Sequence, residues 1–193
     1  MLGKLVSVIL RLAKNILIGP DARAFWAHRQ KCLQSRNKLI KAYHKLCCAR
    51  ILYKNNAAIP LQTRIEGKLN LPHGLNGILI SEGAVIGRNC TVYQQVTIGS
   101  NTLKDSKGAG APVIGDNVYI GAGAKIIGGV RIGDNVRIGA NCVVVEDIPS
   151  NCTVVLDKPR IIVHQEPKDN TFMSYENFRT ASEQNLPQTE DAG

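Results

Sequence analysis

The chain has 193 residues, a formal net charge of +9 and an aromatic content of only 5%. This length suits one domain with appendages. The positive charge is concentrated in residues 1–57, where twelve Lys and Arg stand against one acid, Asp21, so that this segment carries +11 and the remainder carries −2. No recognised nucleic-acid-binding module accompanies the charge, so we expect no nucleic-acid partner. The six Cys residues show neither metal-type spacing nor a disulfide-rich pattern, which favours a reduced, cytoplasmic compartment.

Residues 1–57 predict a basic helical segment. Residues 1–18 interleave Lys and Arg with apolar residues, which fits an amphipathic helix better than a secretory signal or a membrane span. Residues 22–53 predict a second, longer helix with Asp21 as its N-cap. Its irregular apolar stripe consists of Phe25, Trp26, Leu33, Leu39, Ile40, Tyr43, Leu46 and Leu52. Two roles stay open: a helical layer packed on the domain or on a neighbouring subunit, and peripheral contact with the inner face of an anionic membrane.

A six-residue period organises the chain from Ile114 to Val144. An aliphatic residue recurs at every sixth position, a small or apolar residue stands two places before each, and Asn or Gly follows at the corners. The aliphatic positions are Ile114, Ile120, Ile126, Ile132, Ile138 and Val144. A period of six is neither helical nor strictly alternating, and it is typical of a parallel β-helix whose aliphatic residues point inward. We therefore predict an all-β core, a parallel β-helix of hexapeptide repeats, with an N-terminal α-helical segment.

The period is interrupted at two places, residues 72–77 and residues 100–111. The second interruption is polar and rich in Gly, which predicts a loop outside the coil, and such excursions often carry function. We expect the chemistry of the domain to be placed at these two interruptions. The predicted β-helix domain therefore spans residues 58–163 with a loop at 100–111. Residues 164–193 form a polar C-terminal tail that we expect to be largely disordered.

His73 is the candidate catalytic residue, because it is the one histidine within the predicted β-helix and it stands at the first interruption. A neutral imidazole can take the proton of a hydroxyl as that hydroxyl attacks a carbonyl. The alternative is a polar corner residue without a chemical role. No Ser or Cys triad is recognisable, and three metal ligands at a workable spacing are missing, so we expect no metal site.

The stretch from Ala58 to Arg160 resembles the hexapeptide-repeat O-acetyltransferases, in particular their serine acetyltransferase-like branch. The resemblance rests on the His73 corner followed by GILISEGAVIG, on YQQVTIG at 93–99 and on IGAGAKIIGGVRIGDNVRIGAN at 120–141. It implies a left-handed β-helix assembled as a homotrimer, with acetyl-CoA between adjacent subunits and His73 as the base.

The resemblance also implies roles for individual residues. The residues that would bind acetyl-CoA are Gly99, Gly121, Ala122, Lys125, Arg137, Gly139, Ala140, Lys158 and Arg160. Asn76, Gln94 and Gln95 would face the acceptor. The carboxylate partner of His73 would be Glu82 or Glu66.

The chain departs from the serine-enzyme pattern on the acceptor side. Pro72 stands where these enzymes carry Asp, and Ala58 stands where a second Asp orients the His. Gly110-Ala111 replaces an Arg-His pair that handles the amino acid together with these carboxylates. We therefore predict a sugar or polysaccharide hydroxyl as acceptor, as in capsule and exopolysaccharide O-acetyltransferases. The alternatives are a serine O-acetyltransferase of cysteine biosynthesis and a non-catalytic β-helix that acts as an assembly scaffold.

Overall fold

The computed structural model describes residues 6, 7, 10, 12–14, 21–168, 170, 174 and 177. The chain divides into two compact units, residues 1–157 and residues 158–193. Residues 158–168 of the second unit are exposed and contain neither helix nor strand. Most of the predicted amphipathic helix at 1–18 and most of the predicted disordered tail lie outside the described residues.

The basic segment that follows forms a helical hairpin. Its elements are a 3-10 turn at Ala22–Ala24, α1 at Phe25–Gln34 and α2 at Lys38–Lys54. Asp21 is the predicted N-cap, and its carboxylate accepts a hydrogen bond of 2.7 Å from the backbone amide two residues later. The prediction of one helix over residues 22–53 is wrong. The side chain of Asn37 accepts hydrogen bonds from the amides two and three residues later, so a new helix begins there.

The predicted apolar stripe of this segment is only partly buried. Phe25 is fully buried, but four members of the stripe are 41–82% exposed, namely Leu33, Leu39, Ile40 and Leu46. The hairpin packs against the first coils of the β-helix through Phe25, Cys48 and Ile51 instead. Because the break at Asn37 changes the direction of the chain, positions that share one face of a continuous helix are separated here.

Two histidines connect α1 to α2. Nδ1 of His28 and Nδ1 of His44 lie 2.7 Å apart, a hydrogen bond that requires at least one neutral ring. Burial lowers the pKa of both imidazoles. The charge of a protonated His44 and the charge of Lys31 lower the pKa of His28 further, and Lys31 also lowers the pKa of His44.

We expect the free energy of unfolding to fall as the pH is lowered below 6.5, the ordinary pKa of histidine. The folded-state pKa values are lowered, so the unfolded chain binds more protons in this interval and the stability present above it is lost. Urea unfolding between about pH 8 and about pH 5 measures the effect against the background of other titrating groups. The His28→Gln variant should show a weaker dependence, and an identical dependence in both proteins would contradict the assignment.

Short parallel strands form the rest of the first unit. The described strands are β1 (Arg64–Ile65), β2 (Leu79–Ile80), β3 (Val85–Ile86), β4 (Thr91–Val92), β5 (Thr97–Gly99), β6 (Val113–Ile114), β7 (Tyr119–Ile120), β8 (Lys125–Ile127), β9 (Arg131–Ile132), β10 (Arg137–Ile138), β11 (Val143–Val144) and β12 (Thr153–Val154). Sheet A has the order β11-β8-β5-β2, sheet B the order β1-β3-β6-β9 and sheet C the order β12-β10-β7-β4. From β2 to β11 the chain visits A, B and C in turn, which is the path of a parallel β-helix.

The interior of the coil contains the aliphatic residues that the period predicts. Ile114, Ile120, Ile126, Ile132, Ile138 and Val144 are at most 3% exposed. Cys90 and Cys142 are also buried and behave as small apolar residues. Equivalent side chains stack because the strands pair in register, for example Ile98 with Ile126 and Ile126 with Val144.

The register also shows where the coil is interrupted. Leu79 pairs with Thr97, eighteen residues later, whereas Thr97 pairs with Lys125, twenty-eight residues later. The ten additional residues lie in the loop at 100–111, which leaves the coil between sheets A and B. The interruption at 72–77 is smaller, and it lies where the chain passes from sheet C to sheet A.

A ladder of asparagines stabilises the corner between sheets B and C. Asn89, Asn117, Asn135 and Asn151 all have φ values of 55–64°, which the tight corner requires. The side-chain amide of each of the first three donates to the amide oxygen of the next Asn at 2.8–3.0 Å. The corner residues therefore contribute hydrogen bonds between coils in addition to their tolerance of positive φ.

We expect Asn117→Ala to lower the free energy of unfolding by about 2–4 kcal/mol, because it removes two ladder hydrogen bonds and places a Cβ-bearing residue without a polar side chain at positive φ. Asn117→Gly keeps the backbone relaxed and should cost less, about 1–2 kcal/mol. Denaturant unfolding of the two variants separates the contributions. Equal losses would show that the backbone conformation contributes nothing.

Candidate active site

His73 lies at the corner that leads from sheet C to sheet A. Successive coils place residues 72–77, 93–96, 121–124 and 139–142 on top of one another there, and we call this stack the CA corner. Backbone amides of each level donate to carbonyls of the level before at 2.8–3.0 Å. The CA corner brings together His73, Asn76, Gln94, Gln95, Gly121, Ala122, Gly139 and Ala140, all of which were predicted from the sequence.

The imidazole of His73 is exposed and held in one orientation. Its Nδ1 lies 2.6 Å from Oε1 of Gln94. The ring of Tyr93 stands perpendicular to it, at 87° and 5.1 Å between centroids. The side chain of Asn76 donates to the carbonyl of His73 at 2.9 Å, which fixes the backbone. Among the described residues, Nε2 of His73 has no hydrogen-bond partner, so this nitrogen is available to a substrate.

Two tyrosines extend the site along the outer face of sheet C, and the sequence analysis missed both. Tyr93 lies 5.2 Å from Tyr119 between ring centroids. A hydrogen bond with Tyr93 is the main cause that raises the pKa of Tyr119, and loss of solvation contributes a smaller part. Arg137, predicted to bind a CoA phosphate, is exposed on the same face and pairs in register with Tyr119. The sequence signal that could have identified both tyrosines is their position, because each occupies an outward-facing position close to the corner that contains His73.

The predicted carboxylate partners of His73 lie elsewhere in the structure. Glu82 is exposed at the corner between sheets A and B. Glu66 follows β1 in sheet B and forms an ion pair of 3.0 Å with Arg64. Within one chain neither glutamate lies at the CA corner, because Glu66 stands seven residues before His73, next to β1, and Glu82 stands nine residues after it, between β2 and β3. Gln94 occupies the partner position instead.

The small residues of the CA corner are required by the stacking of the coils. A Cβ at Gly121 would lie 2.7 Å from the amide nitrogen of Ala140, and one at Gly139 would lie 3.1 Å from the carbonyl oxygen of Val154. Gly99 is the last residue of β5, at the end of sheet A away from the CA corner, and it packs against the side chain of Ile127. Contact of these residues with acetyl-CoA stays a prediction, because their size has a structural cause.

Lys125 has a structural role that the sequence did not suggest. Its ammonium donates to the carbonyls of Gln95 at 3.0 Å and Gly123 at 2.6 Å, and so ties two levels of the CA corner together. Binding a CoA phosphate would require it to give up these hydrogen bonds. Lys158 and Arg160 belong to the second unit and are exposed there, and their phosphate-binding roles stay predictions.

The loop at 100–111 is closed on itself and on the following coil. Asn101 and Gly110 exchange backbone hydrogen bonds of 2.8 Å. Gly110 has a φ of +131°, and a Cβ there would lie 2.9 Å from Cα of Gly129. A side chain at position 110 is therefore excluded by the packing of this loop. Within one chain the loop follows the strands of sheet A, whereas His73 precedes them, so the two interruptions occupy different corners of the coil.

Neither a metal-binding cluster nor a membrane-spanning helix is found among the described residues. They contain no group of three or more His, Cys, Asp or Glu side chains that could hold a metal ion. None of their helices has the length and apolar character needed to cross a membrane.

Comparison with known proteins identifies the repeat. Residues 111–145 match the family described as bacterial transferase hexapeptide (six repeats). Residues 111–145 are therefore similar to the hexapeptide repeats of bacterial transferases. It is 46% identical over 114 residues to a serine acetyltransferase of Synechococcus elongatus, which is 57% of this chain and 46% of that protein. It is 50% identical over 103 residues to a serine acetyltransferase of Staphylococcus epidermidis, 53% of this chain and 46% of that protein.

Solved structures lead to the same group. Serine acetyltransferase isoform 3 of Entamoeba histolytica in complex with cysteine superposes with a TM-score of 0.55 at 36% identity, covering 65% of this chain and 44% of that one. The serine acetyltransferase of Brucella abortus in complex with coenzyme A gives 0.57 at 31% identity, covering 72% and 54%. The chain spans about half the length of the curated relatives that it matches.

These comparisons confirm one prediction and overturn another. The fold is the predicted left-handed parallel β-helix with N-terminal helices. The predicted sugar or polysaccharide acceptor is wrong, because the relatives at 46–50% identity are serine acetyltransferases. That prediction rested on side chains missing at Ala58, Pro72 and Gly110-Ala111, and the packing around Gly110 gives one of these absences a structural cause.

Proposed function

We propose that this chain transfers the acetyl group of acetyl-CoA to the hydroxyl of serine, with His73 as the general base. The exposed imidazole at the CA corner carries the proposal, because Gln94 and Tyr93 hold its ring while Nε2 remains available. The similarity to serine acetyltransferases over about half of the chain supports the choice of acceptor and donor.

The reaction needs one base and a stabilised oxyanion. Nε2 of His73 takes the proton of the serine hydroxyl as the hydroxyl oxygen attacks the thioester carbonyl carbon. The tetrahedral oxyanion is stabilised by hydrogen-bond donors, and it then collapses with cleavage of the carbon–sulfur bond. The bonding electron pair leaves with sulfur, which takes the proton from the imidazolium. The products are O-acetylserine and free CoA, and His73 is again neutral.

A homotrimer is part of this proposal. Within one chain, His73 lies where the chain enters sheet A and the loop at 100–111 lies where it leaves this sheet. A single subunit therefore presents the two halves of the proposed site separately. A neighbouring subunit that placed its loop beside His73 would bring the two interruptions together and exclude water from the thioester. Peripheral membrane contact through residues 1–57 stays a separate prediction.

The proposal is tested with purified full-length protein, acetyl-CoA and serine. We expect CoA thiol release that depends on serine, together with O-acetylserine detected by mass spectrometry. Alanine is the matched control, because it differs from serine only in lacking the hydroxyl. Equal thiol release with alanine would indicate thioester hydrolysis. Turnover of another hydroxyl compound without turnover of serine would contradict the proposed acceptor.

A further inference from the structure

The group that contacts the proposed base is a neutral amide. We propose that Gln94 is a positioning residue that holds the neutral imidazole of His73 in the tautomer with hydrogen on Nδ1, leaving the lone pair of Nε2 for the substrate. This inference rests on the proposed function for its kinetic consequences, but the tautomer itself is a property of the free protein. Sequence similarity alone pointed to Gln94 as a residue facing the acceptor.

The geometry favours this tautomer. Oε1 of Gln94 lies 2.6 Å from Nδ1 of His73, and an amide oxygen can only accept a hydrogen bond. The proton must then reside on Nδ1. The ring of Tyr93 packs perpendicular to the imidazole at 5.1 Å between centroids, and among the described residues Nε2 has no hydrogen-bond partner. The opposite amide orientation would present N–H to Nδ1 and would select the tautomer in which Nε2 carries the proton and cannot act as a base.

The backbone that carries Gln94 is held on both sides. Its carbonyl accepts a hydrogen bond of 3.0 Å from the amide of Gly123. Gln95, at a φ of 61°, donates through its amide to the carbonyl of Asn76 at 2.9 Å. The carbonyl of Gln95 accepts from the ammonium of Lys125 at 3.0 Å. The corner that presents the amide to His73 is therefore connected to the levels below and above it.

A neutral partner has a chemical consequence. When Nε2 takes the hydroxyl proton, the imidazolium is stabilised by the dipole of an amide and not by a full negative charge. Glu66 and Glu82, the carboxylates nearest in sequence, lie at other corners of the coil. Gln94 thus supplies orientation, and a carboxylate in its place would supply orientation together with charge.

The tautomer is measured by NMR of ¹⁵N-labelled imidazole nitrogens in the full-length protein, with the His73 signals assigned by comparison with His73→Ala. We expect a protonated Nδ1 and an unprotonated Nε2 in the neutral wild-type ring. In Gln94→Leu, which removes the acceptor at similar size, the signals should move toward a mixture of tautomers. Gln34→Leu is the control, because Gln34 is exposed on α1 and far along the sequence from the CA corner. A wild-type ring protonated on Nε2, or signals unchanged in Gln94→Leu, would overturn the proposal.

Kinetics then test the consequence for catalysis. Gln94→Leu should lower kcat about tenfold, the equivalent of about one net hydrogen bond, with the KM for acetyl-CoA unchanged. Gln94→Glu keeps an acceptor oxygen, so it should retain activity above Gln94→Leu, and its pH–rate profile should rise at higher pH than that of the wild type because a negative charge favours the imidazolium. If Gln94→Glu behaves like Gln94→Leu, Gln94 does not act through Nδ1.

The two proposals fail in different ways. A protein that transfers acetyl groups to no acceptor, but whose NMR signals show the Nδ1 proton and respond to Gln94→Leu, would contradict the proposed function and leave the positioning role intact. A serine acetyltransferase whose His73 is protonated on Nε2 in the resting state would do the reverse.

Discussion

Replacing His73 with Ala is expected to lower kcat for acetyl transfer by about 10²–10⁴-fold, the usual contribution of a positioned general base. The imidazole is exposed and its loss leaves no buried cavity, so the fold and the KM for acetyl-CoA should change little. Steady-state thiol release with serine measures kcat, and circular dichroism checks the fold. His164→Ala is the matched control, since it removes an exposed histidine from the second unit.

A partial recovery of activity on adding free imidazole would strengthen the assignment of His73, because a small base can enter an exposed site. Unchanged acetyl transfer in His73→Ala would show that another group is the base. Loss of activity together with loss of acetyl-CoA binding would show that His73 contributes to binding and not to proton transfer.

Replacing Ile126 with Ala is expected to lower the free energy of unfolding by about 2–5 kcal/mol. Ile126 is fully buried in β8, and its side chain stacks between Ile98 on the preceding coil and Val144 on the following one. The narrow interior cannot collapse around the missing atoms without shifting two neighbouring coils, so most of the cavity should remain.

Urea unfolding measures this loss, with the denaturant slope checked for a change in the cooperative unit. Ile161→Ala makes the same substitution at a residue that is 84% exposed, and it should change the unfolding free energy by no more than about 0.5 kcal/mol. Similar losses in the two variants would contradict the stacking of Ile126 within the core.

The β-helix could be predicted because its determinants are local and repeated. An inward aliphatic every six residues and a corner residue that tolerates positive φ define each face, and the same local pattern recurs in every coil. The N-terminal segment has no such repetition. There a single residue, Asn37, divides the predicted helix into two through a capping interaction, and the apolar stripe drawn across that point does not form one face.

The candidate site shows the same division. His73 could be singled out because it stands where the period fails, and the small residues of the CA corner follow from the same register. The partner of His73 could not be predicted from distance along the sequence. Glu66 and Glu82 are nearer to His73 in the sequence but lie elsewhere on the coil. Gln94 is twenty-one residues away, yet the path of the coil brings it to the same corner. The acceptor was predicted wrongly because missing side chains were interpreted without the backbone that excludes them.

By itself the sequence determined the coil, its inward columns and the position of the histidine, because each depends on side-chain size and backbone preference over a few residues. Tertiary structure alone decided what touches that histidine. The amide of Gln94 reaches His73 because one turn of the coil brings residues twenty-one positions apart to the same corner. The loop at 100–111 lies at the corner between sheets A and B. The corner that a residue occupies depends on the length of every coil before it.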